Sequence, residues 1–587
     1  MPSVVPPIAN WVTHPSRSEE RARELAAALD APLPMAHVLV NRGLDNEEKA
    51  RRFLEPALEN LHDPRHMLGL EAGATRILAA VGKGEGIFIH GDYDVDGITS
   101  TFLLYSVLQE LGARVEYRIP NRATDGYGLS KDAMNEAHRR GCTLVVTVDC
   151  GITANEAVAH GRGLGIDTVI TDHHAAQEKL PDAVAIINPM QPGCSYPFNS
   201  LAGVGVAFKL AQALLGEWEE IDRARKYLDV VALGTIADVV PLVGENRILA
   251  RFGLEQINDR SRLGLRALIR VARLSEKRIT SGHVAFMLAP RINASGRVGN
   301  AEQGLRLLMA AQEGEAIACA EGLDGDNNIR RALDSKALEQ ARGMVESELD
   351  PDCSSILLWS KDWKPGVIGI VASRLVEQYR KPAVLVGYEP GALDNGDDIE
   401  YWRGSGRSLP GLNLTELLSG CSKLLESHGG HAFAAGLAVR PANLPALRER
   451  FEKLVRRELE RQGCKPDRFA PRIEIDAELT PEECTADLVQ WLERLAPHGL
   501  ENPEPLFQML GARIDKVTQV GRGPQQHLRF NVAGTAGPLL EVIGFGMGEQ
   551  AGALRAAGRA DLVFTPTLNE WEQKVRVQLK LKSLRIA

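Results

Sequence analysis

The chain has 587 residues, 44% of them hydrophobic and 25% charged, the composition of a folded globular protein too long for one hydrophobic core. A net charge of −9 excludes a general polycation, so any nucleic-acid contact has to come from local basic tracks, and part of the acidity can serve hard divalent cations. No run of about 18 apolar residues and no leader pattern occurs, and the eight cysteines (142, 150, 194, 319, 353, 421, 464, 484) form no C-x-x-C pair, so a cytoplasmic, reduced, non-membrane protein is expected.

Residues 1–70 are charged and helical in pattern, as in RSEERARELAAAL, and predict a supporting element. From about 75 to 240, short β-branched runs alternate with helical stretches: GIFIH (86–90), TLVVTV (143–148), DTVIT (167–171) and AVAII (183–187). That alternation predicts a parallel sheet covered on both faces. Residues 300–346 predict one or two long polar helices. A second α/β segment follows over 353–462, with SILLW, PAVLVG and the glycine-rich GSGRS and GGHAFAAG. After 470 the tail is strand-rich. Its last strand alternates Val575, Val577, Leu579 and Leu581 with Arg576, Gln578, Lys580 and Lys582, which predicts one cationic face.

The chemistry lies in the acids that end the apolar runs. GIFIH runs into GDYDVDG, with Asp92, Asp94 and Asp96; TLVVTV runs into Asp149; DTVIT runs into Asp172, His173 and His174; VVALGTIA, taken as a fourth strand-like run, leads to Asp238. In a parallel sheet such residues converge at the carboxyl edge, where open α/β folds place ligands. Several Asp oxygens with imidazole suit Mn²⁺ or Mg²⁺, and there are ligands enough for two ions. Two ions sharing a carboxylate can activate water and clamp an in-line phosphoryl displacement.

Other readings of these residues are weaker. The D-x-D-x-D-G string also opens calcium loops, but the twelfth position is Leu103 rather than Glu and a strand precedes it. A lone Asp after a strand is more often a helix N-cap, yet four such segments together exceed that explanation. An adjacent His173-His174 pair can be one buried and one exposed ring, but Asp172 before it, in register with the other acids, points to a site.

D-H-H at 172–174, GDYDVDG upstream and GTIADVVPL downstream resemble the DHH phosphoesterase superfamily. WKPGVIGIVASRL (363–375), RGSGRS (403–408), GGHAFAAG (429–436) and NPEPLF (502–507) narrow the resemblance to the RecJ single-strand exonucleases, over nearly the whole chain. It implies two α/β lobes, a parallel-sheet DHH domain (71–300) and a smaller DHHA1 domain (347–463), joined by a long helix (301–346), behind an N-terminal helical support (1–70) and before a β-rich OB-like domain (470–587). It further implies Asp94, Asp96, Asp149, His173 and Asp238 as metal ligands, with Asp149 bridging, Asp92 beside them and His174 acting on the scissile phosphate or the leaving oxygen. His90 is a further candidate, because some relatives carry a ligand in an H-x-x-x-D-x-D motif.

A 5′ exonuclease must hold a chain end, and guanidinium forks, hydroxyls and backbone N–H groups suit a terminal phosphate. The candidates are Arg122, Arg291, Arg297, Ser405 and Arg407, with His431 near the phosphate; the resemblance favours Arg122, Ser405 and Arg407. Lys364 stands where relatives often have histidine and receives no catalytic role. The tail's few aromatics, Phe507, Phe530, Phe545, Phe564 and Trp571, are expected mostly in the core, leaving backbone electrostatics to hold the strand.

The implied activity is that of a single-stranded-DNA-specific 5′-to-3′ exonuclease releasing mononucleotides in DNA repair and recombination. Implied partners are single-strand-binding protein and a RecQ-like helicase, and a monomer is expected. Two alternatives remain at this point: a DHH phosphodiesterase for short oligonucleotides or cyclic dinucleotides, disfavoured by the strand-rich tail of about 120 residues, and a non-catalytic DNA-binding replication scaffold, disfavoured by the full set of motif acids.

Overall fold

The structure, a computed structural model, describes residues 10–14, 18–121, 126, 128–388, 401–463, 472–521, 526–534, 539–571 and 574–586. The chain forms two compact units. The first takes residues 62–240 and 252–470; the second takes 7–61, 241–251 and 471–587.

The first unit opens with a five-stranded sheet of β1 (Gly86–His90), β2 (Arg114–Arg118), β3 (Cys142–Val148), β4 (Asp167–Thr171) and β5 (Ala185–Ile187). Every pairing is parallel and the order is β2-β1-β3-β4-β5. β1 is buried along its whole length, which is why its sequence is a continuous apolar run rather than an alternating one. The order reverses between β1 and β3, so the crevice at their carboxyl ends is the topological switch point.

Helix α1 (Val95–Glu110) follows β1; α2 (Gly203–Leu215) and α3 (Leu228–Ala237) follow the sheet. Here the strand-like reading of VVALGTIA is corrected. The run is α3, with Asp238 at its C-cap donating its N–H to the Gly234 carbonyl at 2.9 Å. Buried from Leu228 to Ile236, this helix is apolar all round, and such a run carries no period that separates strand from helix. Three strands and one helix therefore deliver the acids.

Helices α4 (Leu263–Val271) and α5 (Ala289–Val298) lead to α6 (Glu313–Glu348), 36 residues in one helix. The second lobe of this unit is a mixed sheet built from β6 (Ile356–Ser360), β7 (Ala383–Gly387), β8 (Trp402–Arg407), β9 (Ser427–Gly430) and β10 (Ala434–Val439), ordered β9-β10-β8-β7-β6, with α7 (Pro365–Tyr379) packed on it. Only β6 and β7 run parallel. Arg403, Ser405 and Arg407 alternate along β8 with Gly404 and Gly406. A Cβ on either glycine would meet core side chains, Leu437 at 2.8 Å and Leu414 at 2.9 Å, so the three polar residues share the opposite face.

The second unit is a barrel. β11 (Phe507–Val520), β12 (His527–Val532), β13 (Leu540–Gly544), β14 (Arg559–Trp571) and β15 (Lys574–Ile586) pair in the order β11-β12-β13-β15-β14, and β14 closes back on β11. Met35 and Leu39, from the helix Leu33–Asn41, share one core with Phe507, Phe530 and Phe564. Those three phenylalanines are core residues as expected. Phe545 is not: it is 59% exposed, edge-to-face with His527 at 5.2 Å. Along β15, Leu579 and Leu581 are buried and Lys580 and Lys582 exposed, whereas Val575 near the strand's start is exposed.

Candidate metal centre

The loop after β1 turns tightly. A Cβ at Gly97 would lie 2.5 Å from the backbone of Asp92, so only glycine lets Asp92, Asp94 and Asp96 fold into one crevice. Asp94 caps α1 through Oδ1, which accepts from Gly97 N at 3.1 Å, so the capping role applies to it without removing it from the cluster. Asp96 points at the N-terminus of α2: Oδ2 accepts from Gly203 N at 2.6 Å and Oδ1 from Val204 N at 2.7 Å, where the helix's unpaired N–H groups favour an anion. Asp149 sits at φ 59° in the left-handed region, which aims its carboxylate back into the crevice beside Gly203.

His173 Nε2 lies 3.1 Å from Asp149 Oδ1, 3.6 Å from Asp238 Oδ2 and 3.8 Å from Asp96 Oδ2. Among the described residues three ligand sets arise, each with its atoms within 4.8 Å of one another: Asp149, His173 and His174; Asp96, His173 and Asp238; Asp92, Asp94 and Asp149. Asp149 belongs to two of the sets and so does His173, the arrangement that adjacent ions sharing a carboxylate would need. His90 belongs to none of them; it is buried with Nε2 3.2 Å from the Gly128 carbonyl.

The donor set fits a divalent cation. Asp149 Oδ1 and His173 Nε2 are buried without a hydrogen-bond partner among the described residues. Burial, then the neighbouring carboxylates, drive Asp149 well above the ordinary carboxyl range and Asp238 up to about 9. Asp96 rises to about 7, burial and Asp94 outweighing the N–H groups of Val204 and Gly203. His173 is lowered to about 4 by burial and then by the His174 charge, so its ring is neutral with a lone pair to offer. Carboxylates that resist ionising together are relieved by a cation, and Mn²⁺ or Mg²⁺ suits oxygen with imidazole.

Asp172 behaves oppositely. It accepts from Ile152 N at 2.9 Å, His173 N at 2.8 Å and His174 N at 3.0 Å, and its Oδ1 is 2.7 Å from His174 Nδ1. These bonds outweigh burial and hold its carboxyl below the usual range. Burial pulls the His174 ring down, but the hydrogen bond and charge of Asp172 leave it raised overall.

The neighbouring cleft, about 870 Å³, is faced by Arg297, Ser405, Arg407 and His431, four of the residues singled out in the sequence. Arg407 Nη1 donates to Ser405 Oγ at 3.1 Å, and Arg297 Nη1 to the Gly366 carbonyl at 3.0 Å. Lys364 faces the same cleft. Arg291 does not line it: Asp324 holds its guanidinium at 2.8 Å and the Met287 carbonyl takes a second N–H. Arg122 lies outside the described residues. Sequence reasoning missed Arg403, Tyr93 and Asn121, which also line the cleft. For Arg403 the signal was present, since it stands two residues before Ser405 on one strand.

A switch-point crevice filled with aspartates and histidine, opposite an arginine-bearing second lobe, defines a metal-dependent phosphoesterase of the DHH class. Matches to models of the DHH family N-terminal domain over residues 86–235 and of the DHHA1 domain over 353–457 agree with it, and residues 475–583 match a RecJ OB domain. Over 569 residues the chain is 37% identical to the single-stranded-DNA-specific exonuclease RecJ of Bacillus subtilis, covering 97% of this chain and 70% of that one. With the RecJ of Escherichia coli identity is 33%, covering 96% and 98%. The crystal structure of Thermus thermophilus RecJ with Mn²⁺ superposes with a TM-score of 0.81 at 31% identity, covering 98% of this chain and 79% of that one, and the same protein with Mg²⁺ gives 0.75. The chain belongs to the RecJ family.

Proposed function

We propose that the protein is a single-stranded-DNA-specific exonuclease that hydrolyses from the 5′ end and releases mononucleotides. The observation that carries this is the placement of Ser405, Arg407 and Arg297 in one cleft of the unit that holds the carboxylate cluster. Asp94, Asp96, Asp149, His173 and Asp238, with Asp92 beside them, are the residues that would hold two Mn²⁺ or Mg²⁺ ions. When bound, these ions supply Lewis-acid polarisation of the phosphodiester and activation of water.

The chain's own residues do the rest. Asp172 orients His174 and raises its pKa, which favours the form in which Nε2 donates to the scissile phosphate or to the leaving 3′ oxygen. Asp96 is held by the α2 N-terminus, so the cluster keeps its shape before substrate arrives. Arg407, Ser405 and Arg297, with Arg122, bind the 5′-terminal phosphate; His431, which lines the same cleft, contacts phosphate near the metals. The relatives are named as single-stranded-DNA-specific exonucleases, which supports single-stranded DNA as the substrate. The same relationship supports a role in repair and recombination, action in the cytoplasm as a monomer, and single-strand-binding protein and a RecQ-like helicase as partners. No described helix is long and apolar enough to cross a membrane.

The test is a time course on single-stranded DNA labelled at either end, with Mn²⁺ or EDTA, for the wild type and Asp149→Asn. Asparagine tolerates the left-handed backbone at this position, so the variant removes the charge without straining the turn. Immediate Mn²⁺-dependent release of mononucleotide from the 5′ label, absent on blunt duplex and in the variant, is expected. Loss of the 3′ label first, or cleavage confined to dinucleotides, would overturn the reading.

A further inference from the structure

Outside the cleft, a strongly cationic stretch of this acidic chain lies on α4 and the turn after it. Between residues 260 and 278 there are seven arginines and lysines and one acid, Glu276. Arg262 is neutralised by Asp229 at 2.6 Å, and Arg266 stands 3.9 Å from Glu313. Arg270, Arg273, Lys277 and Arg278 are exposed, and among the described residues no carboxylate stands within ion-pair distance of them. Arg260, Arg266 and Arg270 rim a hollow of about 140 Å³.

The same stretch of chain leads to the active site. Thr280 caps a short helix that passes into a single π turn, Val284–Leu288, where Phe286 is 82% exposed. Helix α5 continues from there. Its Asn293 accepts from Val95 N at the metal loop and its Arg297 faces the cleft. Phe286 precedes Asn293 by seven residues, roughly 10 Å of helix rise. Along the chain, Phe286 thus lies between the cations and the residues that reach the metal loop and the cleft.

We propose that this face, from Phe286 back to Arg266, carries the single strand as it leaves the cleft, with a base stacked on Phe286 and backbone phosphates on Arg278, Lys277, Arg273 and Arg270. The inference rests on the exonuclease reading. An aromatic platform next to a row of cations is how single strands are held without sequence preference. Arg270, Arg273, Lys277 and Arg278 follow one another over a helix and a turn with an exposed aromatic further along the chain, which favours a nucleic-acid strand over an acidic peptide tail.

The experiment compares wild type, the triple variant Arg270→Gln/Arg273→Gln/Lys277→Gln, and Phe286→Ala on oligothymidylates of about 5 and about 30 nucleotides. For the long strand, the triple variant should raise KM about tenfold and reduce the slope of log binding against log salt by roughly 2. Phe286→Ala should raise the same KM about fivefold or more. The short strand should show less than about a twofold change in either variant. A Phe286→Trp protein in EDTA should lose indole emission when the long strand is added. If the wild type degrades neither strand, the exonuclease reading itself fails. If it degrades both while the variants match it on the long strand, or if the tryptophan signal is unmoved, the track is wrong. Unchanged DNA parameters with lost binding of polyglutamate would assign the face to an acidic polypeptide and overturn the proposal.

Discussion

His174 Nδ1 lies 2.7 Å from Oδ1 of Asp172, a carboxylate that three backbone N–H groups also hold. The pair fixes which nitrogen of His174 is left for the substrate. Asp172→Asn removes the charge that keeps His174 raised against its burial, so the ring's pKa should fall. If protonated His174 acts in turnover, activity is lost as pH rises through that pKa, and the variant's alkaline limb moves to lower pH. We expect kcat near neutrality to fall about 10²- to 10⁴-fold with Mn²⁺ stoichiometry retained, read from pH–rate profiles and metal analysis. An unshifted limb would exclude this role.

Metal affinity should rise with pH. Asp96 near 7, Asp238 near 9 and Asp149 well above its normal range mean that the metal-free folded protein holds protons which the unfolded chain, with ordinary carboxyls, has released. Raised folded pKa values stabilise below the unfolded pKa, and that contribution is lost as pH climbs towards about 9. A bound cation replaces those protons, so its apparent affinity gains up to about tenfold per pH unit for each proton displaced. Melting curves in EDTA and in Mn²⁺ should diverge between pH values of about 6 and about 9; a constant gap in Tm would contradict the protonated cluster.

Several features were legible in the sequence because they are local. GIFIH and TLVVTV read as strands because buried parallel strands are nearly continuous apolar runs, and aspartates follow within two residues of their ends. What sequence hid depends on distant residues. Arg291 and Arg297 sit on one helix with similar surroundings in the sequence, but Asp324 captures the first and leaves only the second facing the cleft. The host of Asp238 was misread because burial on all sides erases helical periodicity. Nothing near Asp96 announces that its partners are N–H groups 107 and 108 residues away, and nothing in residues 19–41 says that their apolar face shares the barrel's core.

Gly203 tests that hidden support. A Cβ there would lie 2.7 Å from the Asp149 carboxylate, and the residue's N–H is the donor to Asp96. Gly203→Ala should displace Asp149 and weaken Mn²⁺ binding about 10- to 100-fold. Gly82→Ala, where a Cβ meets nothing within 4 Å, should leave it unchanged. Calorimetric titration with Mn²⁺ separates the outcomes, and equal affinities would mean that the crevice relaxes around the methyl group.

Arg407 offers a planar fork, held at one corner by Ser405 Oγ and by the Gly406 carbonyl, on the face of β8 turned towards the cleft. A lysine keeps the charge but loses the bidentate geometry that matches a terminal phosphate. Arg407→Lys should therefore raise KM for 5′-phosphorylated single strands about 10- to 100-fold, the equivalent of about 1.5 to 3 kcal/mol for a charged hydrogen-bonded contact. KM for 5′-hydroxyl strands should change little, because their end carries no phosphate to match, so the preference between the two ends should shrink by the same factor. Equal losses on both substrates would place Arg407 on an internal phosphate instead of the chain end.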